Sequence, residues 1–257
     1  MTFKLALLDL GGVVYLGERP LPGSVDAIER LRSAGITVRF LTNSTRSSHR
    51  MILARLQTMG LAVKADELFT PARAACALLA QKGWSPHLLI HPALAEDFSE
   101  VPEGDARAVV VGDAGENFTY AALNAAFREL DKGAAFLALA NNRSFRDIDG
   151  GLSLDAGPFV AALAYASRRE PVVLGKPSPD FFAAALASAG TAAQDALMVG
   201  DDVENDVGGA IAAGIAGVLV RTGKYQPGDE RRVDPPPSAV ADDLAAAVDW
   251  ALAGGTG

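Results

Sequence analysis

Four short stretches hold the side chains that can do chemistry. The first, LALLDLGGVVY over 5–15, reads as an apolar strand that delivers Asp9 into a loop opened by Gly11 and Gly12. A carboxylate placed this way stands beside exposed backbone amides, and in open α/β sheets such sites lie at the carboxyl ends of strands. Asp and Gly also build ordinary turns, so this stretch alone leaves both readings open. The second is Thr42-Asn43, at the end of another apolar run. A hydroxyl and an amide there, with the free amides of a following helix, can bind an anion; plain turn and cap chemistry is the other reading. The third is Lys176, in Gly175-Lys176-Pro177-Ser178-Pro179. Its ammonium can neutralise both Asp9 and a phosphate oxygen, or it is an exposed loop lysine. The fourth, MVGDDVEND over 198–206, ends a strand in Gly200-Asp201-Asp202 and sets Asp206 about a helical turn further on. If that strand lies beside the first, Asp201 and Asp9 face each other. Two facing carboxylates repel unless a cation lies between them, and hard oxygen ligands with open water positions suit Mg²⁺. The other reading makes Asp201 and Asp202 caps of the next helix. Asp202, Glu204 and Asp206 read as capping groups or supports of the ligands.

The elements that must position these groups follow from periodicity. Residues 3–8 form a buried strand by their unbroken apolar run. Val25, Ile28 and Leu31 share one helical face that Gly35 closes. A strand is expected at 37–41, then a helix capped by Ser47 or Ser48 that turns Ile52, Leu56 and Met59 inward and stops at Gly60. Thr70-Pro71 opens a helix that runs to about residue 82. Strands at 87–91, 108–111 and 136–140, helices at 119–131 and 158–168, and a tight turn at Asp149-Gly150-Gly151 make up the middle of the chain. The opening pattern resumes with a strand at 172–174, a helix from Pro179 to Gly190, a strand at 196–199, a helix at 206–213 and a strand at 217–220. A loop over 221–237 and a helix at 243–252 follow. Alternation of strand and helix with short links predicts a parallel sheet covered by helices. The fold class is therefore α/β, one Rossmann-like core with a second α/β module inserted near its middle.

Composition limits the function classes. The chain has 257 residues, a net charge of −8 and one cysteine. No basic surplus exists to displace counterions, which argues against nucleic acid as the main partner. A small phosphate-bearing substrate needs only a local positive site or a metal. Cys76 lies in an Ala-Leu-rich helical pattern and reads as a small core residue. No apolar run is long enough for a membrane span or a signal peptide, so a soluble cytoplasmic protein without a membrane partner is the expectation.

An acid nucleophile, a hydroxyl, a lysine and a distal acid pair, in that order, resemble the haloacid dehalogenase superfamily of phosphohydrolases. The resemblance covers the whole chain, and the insertion between Thr42 and Lys176 looks like the C2-type cap of the NagD-like branch. It implies a core at 1–77 and 171–257 and a cap at 78–170. Within that branch PGSVDAIERL, LTNST, LLIH, DAGENFTY, VVLGKPSPDFF, MVGDDVENDVGGA and VRTGKYQPGDE resemble phosphatases of phospholysine, phosphohistidine and inorganic pyrophosphate and their sister hydrolase-domain proteins. The resemblance implies that Asp9 forms an aspartyl-phosphate and also binds Mg²⁺. It implies that position 11 lends its backbone carbonyl, and Asp201 its carboxylate, to the same ion. Substrate binding falls to Asp9, Leu10, Gly11, Thr42, Asn43 and Lys176, with Lys176 beside the transferring phosphoryl group. A homodimer is implied as well.

One departure bears on substrate. Most superfamily phosphatases carry a second aspartate two residues after the nucleophile, to protonate the leaving group. Here that position is Gly11. General acid–base help is worth roughly 10²–10⁴-fold, so alkyl esters are expected to be poor substrates. P–O–P and P–N bonds, whose leaving groups need less help or are readily protonated by water, are expected to be better. A phosphatase of a sugar or nucleotide monophosphate is the alternative enzyme reading, and a catalytically weak phosphate- or phosphoprotein-binding module the alternative class. Asp113, Glu116, Asn141, Asn142 and Arg143 are expected to be solvated loop residues that could also reach substrate. His49, His87 and His91 lack metal-ligand spacing, and His91 is a minor acid/base candidate. Thr222-Gly223-Lys224 reads as a structural turn near the site, since no glycine-rich phosphate loop precedes it.

Overall fold

The computed structural model describes residues 3–146 and 151–255. Strand β1 spans Leu5–Asp9, and a small antiparallel hairpin of β2 (Tyr15–Leu16) and β3 (Arg19–Pro20) follows. Next come α1 (Ser24–Ser33), β4 (Thr37–Leu41), α2 (His49–Thr58), β5 (Leu68–Phe69) and α3 (Pro71–Lys82). The middle holds β6 (Trp84–Leu89), β7 (Ala106–Val111), α4 (Tyr120–Asp131), β8 (Ala135–Ala138), β9 (Ser144–Arg146), β10 (Leu152–Leu154), α5 (Ala156–Ser167) and β11 (Val172–Val173). Then follow α6 (Pro179–Ser188), β12 (Ala196–Gly200), a π-type turn at Val203–Gly208, α7 (Gly209–Ala212), β13 (Ala216–Val220), β14 (Ala239–Ala241) and α8 (Leu244–Leu252). These elements fall into two compact units. One is Met1–Thr42, Leu53–Phe69 and Lys176–Gly257; the other is Asn43–Ile52 and Thr70–Gly175. The second unit takes in all of 78–170 together with flanking segments.

The first unit is built on a six-stranded parallel sheet in the order β14-β13-β12-β1-β4-β5. All five residues of β1 are buried, as a parallel strand covered on both faces requires. From β1 the chain moves outward to β4 and β5, and it later returns to the opposite side of β1 as β12. The strand order therefore reverses at β1, and a crevice at the carboxyl ends of the strands is the expected ligand position. Register sharpens this. Asp9 pairs with Leu41 and Leu8 with Val199, so Thr42 and Asp201 both leave the sheet beside Asp9.

The second unit has a four-stranded parallel sheet in the order β11-β8-β7-β6. Strand β6 starts at Trp84, earlier than the expected 87–91, and carries Pro86. An edge strand tolerates proline, because one row of its amides needs no ladder partner. Thr70 caps α3 by accepting the Arg73 N–H at 3.3 Å, and Gly83 ends it in the left-handed conformation. Helix α5 starts at Ala156, two residues before expectation, where the Asp155 carboxylate accepts the Ala156 N–H. Of the turn expected at Asp149-Gly150-Gly151, the first two residues lie outside the described residues.

Two further expectations change. The helix expected at 206–213 is preceded by the π-type turn, so Asp206 lies inside a wound segment rather than at its start. The stretch 221–237 holds a 3₁₀ turn at Asp229–Arg231, and β14 follows it. Strands β5 and β14 are two and three residues long, too short to show a period. No helix among the described residues is long and apolar enough to cross a membrane.

Candidate active site

The site is a cluster of four buried charged side chains in the first unit: Asp9, Lys176, Asp201 and Asp206. Asp9 ends β1, and Asp201 follows β12 directly. Asp206 is carried back to the strand end by the π-type turn, in which the carbonyl of Asp202 accepts the N–H groups of both Asp206 and Val207. Such a turn is wider than an α-helical one and often marks a functional position. Gly200 allows the return, since a Cβ there would collide with the Asp206 side chain. Lys176 Nζ lies 2.5 Å from Asp9 Oδ1 and 2.7 Å from Asp206 Oδ1, and it donates to the Leu41 carbonyl at 3.3 Å. A lysine at this depth with two carboxylate partners is a fixed part of the site, not a loop charge.

The loop after Asp9 is tied down by its backbone. The Leu10 carbonyl accepts the N–H groups of Val14 and Tyr15, and the Gly12 N–H donates to the Tyr15 carbonyl at 2.7 Å. Leu10 is buried and Gly11 exposed. Thr42 is buried just beyond β4, and its N–H donates to the Phe69 carbonyl. Asn43, the next residue, belongs to the second unit. Asp202 is a cap, as one reading allowed: its carboxylate accepts the N–H groups of Glu204 and Asn205. Asp201 accepts the Lys224 N–H at 2.7 Å instead. Thr222-Gly223-Lys224 lies against the site, with the Thr222 hydroxyl donating to the Gly12 carbonyl at 2.5 Å.

Asp9, Asp201 and Asp206 each offer an oxygen within 4.8 Å of the others. The Lys176 ammonium offsets one of these three charges, and the remainder matches a divalent cation. Burial, and then the charges of Asp9 and Asp206, push the Asp201 carboxyl up to about 8. Burial, with Asp9 and Asp202 adding to it against the pull of Lys176, pushes Asp206 up to about 7. Burial alone would lower the Lys176 ammonium, but Asp206 and Asp9 outweigh it and hold it above the ordinary lysine value. Carboxylates that resist ionisation together, with only oxygen atoms on offer, fit a hard cation such as Mg²⁺.

Of the candidates in the second unit, some are committed elsewhere and others stand exposed. Asp113 is buried rather than solvated, held by Arg46 Nε at 2.5 Å and by the Gly115 N–H. Glu116, Asn141 and Arg143 are exposed and Asn142 is half-buried; the Asn142 carbonyl takes the Gly157 N–H. His91 caps a turn by accepting the Ala93 N–H at its Nδ1. The His49 N–H donates to Asp97, and burial lowers the His87 imidazole. Burial also pushes the Cys76 thiol up to about 12, which leaves it unreactive.

Two family models match the chain, haloacid dehalogenase-like hydrolase over residues 6–124 and HAD-hydrolase-like over 173–247. The human haloacid dehalogenase-like hydrolase domain-containing protein 2 is 41% identical, over 98% of this chain and 96% of its own. This chain belongs to the haloacid dehalogenase-like hydrolase family. Among other members, the phospholysine phosphohistidine inorganic pyrophosphate phosphatase of Xenopus laevis is 39% identical over 97% of this chain and 95% of its own. The crystal structure of 4-nitrophenylphosphatase from Thermotoga maritima superposes with a TM-score of 0.88, at 27% identity and 97% coverage of both chains. Glycerol phosphate phosphatase from Mycobacterium tuberculosis, solved with magnesium, gives a TM-score of 0.83 at 29% identity, covering 95% of this chain and 76% of that one. The chain is an enzyme of this family, a hydrolase of the phosphatase kind. Asp206, which by sequence reads as a capping group or a support of the ligands, is brought by the geometry into the cluster itself. Its signal was an acid about a helical turn beyond Asp201, and the π-type turn is what carries it back to the strand end.

Proposed function

We propose that this chain is a Mg²⁺-dependent phosphohydrolase that works through an aspartyl-phosphate on Asp9. The observation that carries this is the buried Asp9, Asp201 and Asp206 cluster with a single internal lysine, at the reversal of strand order. Asp9, Asp201 and the carbonyl of residue 11 would hold the ion, and Asp206 would hold Lys176. The ion supplies charge stabilisation of the phosphoryl oxygens. An Asp9 carboxylate oxygen attacks phosphorus, and the bond to the leaving group breaks with its electron pair leaving on that group. Water then attacks the phosphorus of the aspartyl-phosphate, restoring the Asp9 carboxylate and releasing inorganic phosphate. Lys176 neutralises phosphoryl oxygens beside Asp9 as charge shifts between them. The Leu10 and Gly11 backbone and Thr42 complete phosphoryl binding on the first unit. The second compact unit is the C2-type cap of this reading.

The absence of a side-chain acid at Gly11 favours leaving groups that need little protonation, as in P–O–P bonds, or whose nitrogen takes its proton directly from water before the P–N bond breaks. Pyrophosphate-like and phosphoramidate compounds, phospholysine and phosphohistidine among them, are the preferred class, in keeping with the named activity of the Xenopus relative. A small phosphate ester is the second reading, favoured by the likeness to glycerol phosphate phosphatase. Phosphate release with Mg²⁺ separates the two across a panel of phospholysine, phosphohistidine, imidodiphosphate, pyrophosphate, p-nitrophenyl phosphate and sugar and nucleotide phosphates. The expected result is preference for P–N and P–O–P bonds, with turnover abolished in Asp9→Asn. Preference for one alkyl ester would move the reading to the second class, and turnover that survives Asp9→Asn would overturn the nucleophile.

A further inference from the structure

We propose that Thr222-Gly223-Lys224 is a clamp that sets the cation site, with Thr222 its positioning residue. The inference rests on the reading of Asp9 and Asp201 as ligands of a divalent ion. The turn follows β13 and touches both halves of that ligand set. At one end the Thr222 hydroxyl donates to the Gly12 carbonyl at 2.5 Å and holds the loop that leaves Asp9. At the other, the Lys224 N–H donates to Asp201 Oδ2 at 2.7 Å and fixes the plane of that carboxylate. Between them Gly223 sits at a φ of 55° against Gly12 and Asp201, where a Cβ would strike both. Gly12 returns the constraint, with a φ of 89° and a Cβ position that meets Asp201 and the Gly223 backbone. The Lys224 ammonium makes a further tie to Asp202 Oδ2 at 3.2 Å. Asp202 already accepts three donors from Glu204 and Asn205, so this tie anchors the turn rather than satisfying the acid.

The geometry has a physical consequence. Asp9 and Asp201 come from strands β1 and β12, and their backbones alone do not fix how the two carboxylates face. A cation needs both held at one spacing, and groups that orient ligands commonly matter about 10–100-fold for metal affinity. The Thr222 hydroxyl joins the two through one short turn, so its loss should loosen the site without removing a ligand.

The test is direct Mn²⁺ binding to the whole protein, followed by electron paramagnetic resonance of the free ion, with Mg²⁺ displacing it. Far-ultraviolet circular dichroism checks that each variant is folded. Thr222→Val is expected to weaken Mn²⁺ binding about tenfold or more, and Thr222→Ser to bind as the wild type does. Gly223→Ala is expected to weaken it further. Thr222→Val binding as tightly as the wild type overturns the clamp, and so does equal weakening in Thr222→Val and Thr222→Ser. Should the valine variant fail to fold, Thr222→Ala against Thr222→Ser carries the same comparison. A wild-type protein that binds no Mn²⁺ would instead overturn the cation-site reading itself.

Discussion

A Cβ built on Gly12 collides with Asp201 and Gly223, whereas one built on Gly11 meets nothing, and only Gly12 has a positive φ. The two neighbours are therefore under opposite constraints. Gly12 is required by the packing of the site, while Gly11 is an open position at which a side chain can stand without strain. Gly11→Asp should fold normally and put a carboxyl group where the leaving group departs. Its hydrolysis of alkyl esters is expected to rise by up to about 10²-fold, with a smaller gain on phosphoramidates. Steady-state kinetics on p-nitrophenyl phosphate, a sugar phosphate and imidodiphosphate measure this. An equal gain on all three, or none, would mean that the missing acid does not set the substrate class.

At the scale of elements, the π-type turn after β12 decides which acids meet. It brings Asp206 against Gly200, with Asp206 Oδ2 accepting the Asp202 N–H at 3.2 Å and Oδ1 holding Lys176. Gly200→Ala would push that carboxylate away from the lysine. Overpacking of this kind costs about 1–3 kcal/mol, and a displacement near 1 Å at reacting groups can cost on the order of 10²-fold in rate. Urea denaturation and kcat together test it: a variant as stable and as active as the wild type would show that Asp206 does not need this approach. The turn was not legible beforehand because a 3.6-residue period cannot announce a wider winding. Strand β1 was legible, since an unbroken apolar run closed by a pair of glycines is a local signal of a buried strand and its turn.

For the molecule as a whole, the cluster ties stability to pH and to divalent ions. Asp201 is raised to about 8 and Asp206 to about 7 in the folded chain, from an unfolded value of about 3.9. The folded state then holds protons that the unfolded state has released. The contribution to stability is full below about pH 4 and is lost as pH rises through 7 and 8. Melting temperature in EDTA is expected to fall between about pH 4 and 8, the interval these values bracket. Mg²⁺ should reverse the fall by displacing the protons, and Asp201→Asn should flatten it. A melting temperature in EDTA that is the same for wild type and Asp201→Asn at every pH would contradict the assignment.

The sequence by itself determined which residues stand at strand ends, because apolar runs, caps and glycines are local signals. Asp9, Thr42, Lys176 and Asp201 each follow such a run, and family strings such as VVLGKPSPDFF mark the chain as a hydrolase of this kind. Only the tertiary structure decided that β12 and β4 flank β1, which sets Asp201 and Thr42 beside Asp9. It also decided that Asp206 joins the cluster while Asp202 caps, that Asp113 is buried in an ion pair with Arg46, and that Thr222 reaches Gly12. The physical reason is distance along the chain. Local propensity acts over one or two turns, whereas these partners meet only when separate elements pair in a sheet and bury their charges together.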